Sequence, residues 1–471
     1  MRQPLIVLTV VIAISLTGCV VGPNYNRPKI DTPDTFRAPA PLSATESASL
    51  ADLKWWEVFQ DPRLQELVRV ALAQNYDLRD AAARVEQARA RLGVTESYQL
   101  PNAGASGSVD SARLSRNGAT PLPPAIMPNQ NRTFGTATLN LLSFEIDLWG
   151  RLRRATEAAR AAVLAAEEVR KVVVVTLVSQ VASAYFNLQE LDEELDIARR
   201  TLAVRENSLR LIESRRAGGV STRLDVRQAQ QLVYAAQEAI PALERQREVI
   251  ENQLSVLLAR NPGELAHGGR IEEQKVPPAV PPGLPSSLLE RRPDILAAEQ
   301  NLIAANAQIG IARAAYFPQL SVTGLLGGQS TQLSDLLAGP SSVWNVIPQV
   351  TQPIFTAGRV HSQVALANAQ QQSALAEYQK TIQVAFAEVS NALIARQRLR
   401  ESREKQELLV EAIQDRTRLA YLRYHGGVDT LLNALDADRD QFQSELTLAQ
   451  LRLNELLSVV ELYKALGGGW Q

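Results

Sequence analysis

The chain is short of the residues that chemistry usually needs. It has one cysteine in 471 residues, Cys19, so it can build neither an internal disulfide framework nor a cysteine-rich metal site. Its three histidines, His267, His361 and His425, stand far apart and offer no ligand spacing. Charge of one sign is missing too, because 49 Lys and Arg face 50 Asp and Glu for a formal net charge of -1. A nucleic-acid binder normally carries a basic face, so this balance argues against one. There is no Gly-Lys-Ser/Thr phosphate loop and no nucleophile–base constellation, so neither cofactor nor enzymatic activity is expected. No stretch has 18 consecutive apolar residues, which excludes a transmembrane helix. What remains is 45% apolar and 21% charged, the composition of a folded chain rather than a disordered one.

The N-terminus reads as an address. Arg2 precedes an apolar run over 5–16, too short to span a bilayer permanently, so 1–18 is expected to be a secretory signal. Leu16-Thr17-Gly18 directly before Cys19 resembles the bacterial lipobox. That resemblance implies cleavage before Cys19, palmitate and other acyl chains on that residue, and, with Val20 rather than Asp next, an outer-membrane address. Several chains together hold a protein stably on a membrane. Residues 19–60, rich in Pro, Ser and Thr over 20–50, would form a tether from the lipid to the first helix.

Two copies of one unit follow. Gly93 and Pro101 recur as Gly310 and Pro318; Gly150-Arg151 and Gly219-Val220 recur as Gly358-Arg359 and Gly427-Val428. Gly150 to Gly219 and Gly358 to Gly427 are equal intervals, whereas the stretch between Pro and Gly differs in length, as a surface loop does. The expected division is a first repeat over 61–260, a Pro-rich crossover over 261–292, a second repeat over 293–466 and a short tail over 467–471. Each copy reads as helix, two strands, very long helix, tight turn and return helix. Val174, Val181, Leu188, Leu195, Leu202 and Leu209 are seven apart; Leu177, Ala184, Leu191, Ala198 and Ile212 fill the second seam, with only Arg205 out of character. The second copy keeps Ile382 and Val389 but then places Arg396 and Arg403 in the seam. A helix over 152–216 would reach ~98 Å, against ~58 Å for its partner over 221–259 and ~33 Å for a helix over 77–98, so two short staves match one long one. Pro241 is expected to kink the return helix.

Strands are predicted over 102–114 and 133–148, with a loop over 115–132, and over 319–327 and 342–355, with a loop over 328–341. Leu320, Val322, Gly324 and Leu326 alternate, as do Phe144, Ile146 and Leu148. Each segment suffices for a tilted membrane strand of ~9–11 residues. Alternation alone fits two soluble hairpins packed on the helices equally well. Four strands cannot close a barrel and lipid tolerates no open edge, so membrane strands would require several chains to share one barrel.

Four stretches resemble the outer membrane factor family, the TolC-like channels, in its lipoprotein efflux branch. They are Gly22-Pro23-Asn24-Tyr25 with Arg27-Pro28; Trp55-Trp56 with Phe59 and Asp61-Pro62; Asp147-Leu148-Trp149-Gly150-Arg151; and Leu284-Pro285 with Arg291-Arg292-Pro293-Asp294-Ile295, Ala298-Glu299 and Tyr316-Phe317-Pro318. The resemblance runs from the lipobox to about Leu466. It implies an α+β membrane protein: a long coiled-coil α-helical periplasmic barrel continuous with a transmembrane β-barrel, four strands per chain shared in a homotrimer. It also implies docking to a periplasmic adaptor and an RND-type inner-membrane pump.

The candidate tips are the turns over 215–225 and 423–433. Gly218, Gly219, Gly426 and Gly427 permit the positive φ of a tight reversal. Ser221 and Asp429 are expected N-caps. The resemblance puts adaptor contacts on these turns, making Val220, Ser221, Arg223, Val428 and Leu431 candidates. Leu432 and Asp436 share a helix face, and in a trimer would make an apolar ring followed by an acidic one. The family's aperture residues map onto Arg423, Leu432, Asp436 and Arg439, and an ion pair between neighbouring hairpins, Arg423 with Asp225, is expected to help hold the tip. The alternative is a solvated acidic face, since Asp438 and Asp440 are adjacent. Arg151, Arg153 and Arg154 sit at a helix start, where the macrodipole disfavours cations, which fits either an external anionic partner or a solvated collar. The leading function is the passive exit duct of a tripartite efflux pump. The alternatives are a type I protein secretion duct and a periplasmic scaffold without a pore.

Overall fold

The computed structural model describes residues 20–38, 52–113, 115, 130–266, 268–274 and 285–468. The expected signal at 1–18, the lipidation site Cys19 and His267 lie outside the described residues. Helices α1 (Trp55–Val58), α2 (Pro62–Gln74) and α3 (Tyr76–Ser97) precede strands β1 (Ala103–Arg113) and β2 (Asn131–Ile146). Helix α4 (Arg151–Ala217) has 67 residues and α5 (Arg223–Leu257) has 35. Then come α6 (Leu288–Arg291), α7 (Pro293–Ala314), β3 (Gln319–Ser330), β4 (Ser342–Thr351), α8 (Arg359–His425) and α9 (Leu431–Ala465), the last two again 67 and 35 residues long. The repeated arms match residue for residue in length. Helix α5 runs on through Pro241, at the loss of one backbone donor.

The chain divides into two compact units. The first, residues up to 29 with 84–166 and 298–378, holds the strands. They form one antiparallel sheet in the order β1-β2-β3-β4, with Ala103 opposite Leu141, Ile146 opposite Leu320 and Gln319 opposite Thr351. The β2–β3 register shifts between Leu141 and Phe144. Among the described residues β1 and β4 have no outer partner, and Val109, Leu139, Leu326, Trp344 and Val350 are all more than half exposed. An extended segment from Val20 is strapped onto this unit. The Val21 amide donates to the Trp149 carbonyl at 3.0 Å and Asn306 Nδ2 to the Pro23 carbonyl at 3.0 Å. Glu299 accepts from Tyr25 and pairs with Arg27 at 2.9 Å. Gly22 has φ +97°, and a Cβ there would stand 2.5 Å from the Gly310 Cα, so strap and helix meet through two glycines.

The second unit, residues 30–83, 167–297 and 379–471, holds the main core. Phe36, Trp55, Phe59 and Leu64 pack with Val181, Tyr185 and Phe186 of α4, Val389 of α8 and Tyr463 of α9. Of the predicted heptad seam, Leu177, Val181, Ala184, Leu188, Leu191, Leu195, Ala198 and Ile212 are buried. Val174, Leu202 and Leu209 are only half-buried. Asp61 caps α2 and also accepts from Tyr185 Oη and Gln274 Nε2, each at 2.6 Å. Burial would raise its carboxyl, but these four hydrogen bonds hold it below the ordinary range. Arg292 is buried against Asp294, Glu388 and the Ala465 carbonyl. The stretches carrying the family resemblance therefore build the scaffold.

Candidate functional site

Both helical turns close the same way. Ala217 ends α4, Gly219 takes φ +80°, and the Val220 amide reaches back to the Arg215 carbonyl at 2.8 Å. In the second copy Gly427 takes φ +73° and the Val428 amide reaches Arg423 at 3.1 Å. These are Schellman-type ends, which require the left-handed conformation only at the second glycine of each pair. Gly218 and Gly426 stay at negative φ, so one glycine of each pair uses the freedom that both permit.

The caps lie one residue beyond their expected places. Thr222, not Ser221, caps α5 and forms a capping box, with the Thr222 amide donating to Asp225 Oδ2 at 2.7 Å. Thr430, not Asp429, stands at the N-cap of α9. Asp429 accepts from the Thr430 amide at 2.8 Å, from Asn433 at 2.7 Å and from Arg423 Nε at 3.0 Å. The Arg423 guanidinium, ahead of those amides, holds the Asp429 carboxyl below its ordinary range. Within the chain, then, Arg423 pairs with Asp429 and Asp225 serves the capping box; the Arg423–Asp225 pair is not made. Each acid is taken by donors a few residues away, which needs no long-range ordering.

Val220 and Val428 are exposed at the turn apices and Arg223 is exposed beside them. Leu431, read as a surface contact, is instead 5% exposed in a small core with Ile212, Val226, Ala229 and Leu435. Leu432, Asp436 and Arg439 share the open face of α9; Leu432 is 50% exposed, and Arg439 lies 3.4 Å from Asp436. Two exposed leucines escaped the sequence reading, Leu224 and Leu422. The repeat offset that equates Val220 with Val428 also equates Leu224 with Leu432, so the signal for Leu224 was present.

Asp438 itself does not belong to a solvated acidic face. Asp438 is buried, with Arg205 Nε 2.7 Å from its Oδ2. Arg205, the residue that breaks the α4 seam, also donates to the Leu232 carbonyl at 3.1 Å and lies 4.9 Å over the Phe442 ring. Burial pushes the Asp438 carboxyl up, and the Arg205 charge opposes it. Asp440 pairs with Arg416 at 2.7 Å, and that hydrogen bond holds its carboxyl below the ordinary range.

The arginines at the start of α4 find internal partners, against both expected readings. Arg151 grips both oxygens of Glu145 at 2.8 and 2.6 Å, and Arg153 meets Asp147 at 3.5 Å. Arg154 is buried on Asn24 Oδ1 at 2.8 Å, Glu157 at 2.7 Å and the Gly22 carbonyl. They tie the foot of β2 and the N-terminal strap to the helix. Trp149 donates to the Pro318 carbonyl at 2.7 Å and stacks on Phe317 at 4.7 Å. Among the described residues there is no cluster able to hold a metal ion and no helix long and apolar enough to cross a membrane.

Against known proteins, the family model described as outer membrane efflux protein matches residues 67–260 and 284–468. The toluene efflux pump outer membrane protein TtgF of Pseudomonas putida is 39% identical, over 98% of this chain and 96% of its own. The cation efflux system protein CusC of Escherichia coli is 35% identical over the whole of both. Among solved structures, the open-state outer membrane channel MtrE of Neisseria gonorrhoeae superposes with a TM-score of 0.86 at 32% identity, covering 96% of this chain and 99% of that one. The Campylobacter jejuni CmeC channel reaches 0.86 at 27% identity, covering 96% and 95%. The chain belongs to the outer membrane efflux protein family. Its fold is TolC-like, and it is an efflux channel of the Gram-negative outer membrane that extends into the periplasm.

Proposed function

We propose that this chain is the passive exit duct of a tripartite pump, three copies sharing one twelve-stranded barrel anchored by lipid on Cys19. The observation that carries the reading is the open sheet: among the described residues β1 and β4 lack outer partners while apolar side chains on the strands stand exposed. A bilayer tolerates such edges only when other strands close them. The repeats over 61–260 and 293–466 each supply one hairpin and one helical arm. A periplasmic adaptor docks on the turn apices at Gly218, Gly219, Val220, Ser221, Arg223, Gly426, Gly427 and Val428, and an RND-type inner-membrane pump supplies the energy. Leu432 and Asp436 form successive constrictions, with Arg423 and Arg439 setting their charge. The cargo is small toxic molecules; relatives named for toluene and for cation efflux support that class.

Planar-bilayer conductance of the detergent-extracted protein tests the reading. Little current from wild type and a large rise with Leu432→Ala plus Asp436→Ala is the expected result. Equal, appreciable current in both removes the gate and keeps the duct. Silence from both after verified insertion sinks the duct.

A further inference from the structure

The two repeats place equivalent residues in opposite surroundings at the foot of the sheet. In the first copy Ile146 is 8% exposed at the β2–β3 seam, directly opposite Leu320. Its counterpart in the second copy, Ile354, follows edge strand β4 and is 98% exposed; Phe355 beside it is 87% exposed. The charges changed along with the surroundings. Glu145 and Asp147, which Arg151 and Arg153 hold inside the chain, are replaced by Pro353 and Phe355. An isoleucine and a phenylalanine left this open beside an unpaired strand edge describe half of an interface.

The repeat also identifies the other half. At the internal seam the second strand of one repeat pairs with the first strand of the other. Beyond β4, the next first strand available is β1 of another molecule. Carrying the Ile146–Leu320 register across by the repeat sets Ile354 opposite Ala103, with Phe355 beside Asn102 and within reach of Leu100. Leu100 is 65% exposed and Ala103 is exposed, at the foot of the other open edge. The pairing is antiparallel, like every other pair in this sheet. It brings apolar surface against apolar surface, and the occupant is a second copy of this chain.

We propose that Ile354 and Phe355 form an apolar clasp on residues 100–103 of a second copy, locking the foot of the shared barrel in the register of the internal seam. The inference rests on the shared-barrel reading above and adds the residues and the register.

Directly opposed antiparallel residues have Cα atoms about 4.5–5.5 Å apart, within reach of a disulfide. The test is Ile354→Cys with Ala103→Cys, oxidised in outer membranes with copper phenanthroline and compared with each single variant, which controls for Cys19. Native mass in detergent is measured alongside. The clasp predicts covalent oligomers up to the trimer, lost on reduction and absent from both single variants. A trimeric mass without cross-linking, while Thr351→Cys with Ala103→Cys does cross-link, overturns the clasp and its register but leaves the shared barrel standing. A monomeric mass without cross-linking from either pair overturns the shared barrel itself.

Discussion

Ion pairing in this chain is decided by single side chains. Arg205 and Asp438 are 233 positions apart yet meet at 2.7 Å in a buried setting. Removing one partner strands the other charge, at a cost of about 3–5 kcal/mol, whereas replacing both with apolar groups of similar volume is often close to neutral. Thermal melts of the solubilised protein should therefore show a large loss for Arg205→Met and substantial recovery for Arg205→Met with Asp438→Leu; equal losses would mean the pair is not what matters there. Glu190 makes a prediction with pH. It is 4% exposed and hydrogen-bonded to Glu194, and burial, then the neighbouring carboxylate, push its carboxyl well above the ordinary value of 4.5. The folded chain thus binds this proton more tightly than the unfolded chain does. Its contribution to stability is complete below pH about 4.5 and is lost as pH rises toward and through the raised value. Melting temperature should fall from mild acid to mild alkali, and less steeply in Glu190→Gln; parallel profiles would contradict the assignment.

At the scale of elements, the helical arms obey local rules that one substitution can separate. Gly219 sits at φ +80° with open space around its absent Cβ, so alanine there meets only the backbone penalty, about 1–2 kcal/mol. Gly218 is at negative φ, with the nearest atoms at ordinary contact distance. Gly218→Ala should be tolerated and Gly219→Ala should destabilise, an ordering that chemical denaturation of the two variants checks directly. The turn chemistry was legible up to this point: paired glycines marked both reversals. Which glycine is strained and which residue caps the next helix was not legible, because Ser221 and Thr222 are both competent caps. The choice belongs to the backbone path, which ends α4 at Ala217 and brings Thr222 to the first free amides of α5.

At the scale of the whole molecule, a channel's behaviour follows from what symmetry multiplies. An acidic side chain repeated around an axis favours cations, so in bilayers of an opened variant such as Leu432→Ala, the further change Asp436→Asn should lower the cation preference read from the reversal potential. An unchanged potential would take Asp436 out of the pore lining. On the proposed shared barrel, the same multiplication closes the sheet edges that stand open among the described residues of one chain: other copies would cover what a single chain displays as exposed surface.

Several features were determined by the sequence alone: the two repeats, helical arms of equal length, two hairpins, the buried seam from Leu177 to Ala198 and the glycine turns. Each is written in a local period or in a spacing repeated along the chain, and such periods survive without knowledge of what lies across the core. The tertiary structure alone decided that Arg205 has an acid to meet, that Arg151, Arg153 and Arg154 are spent on the strap and the strand foot, and that Leu431 faces inward while Leu432 faces out. These are contacts between positions far apart in the chain or a single step of helix rotation. Charge and apolarity by themselves do not say which distant group will stand opposite; only the packed backbone sets that distance.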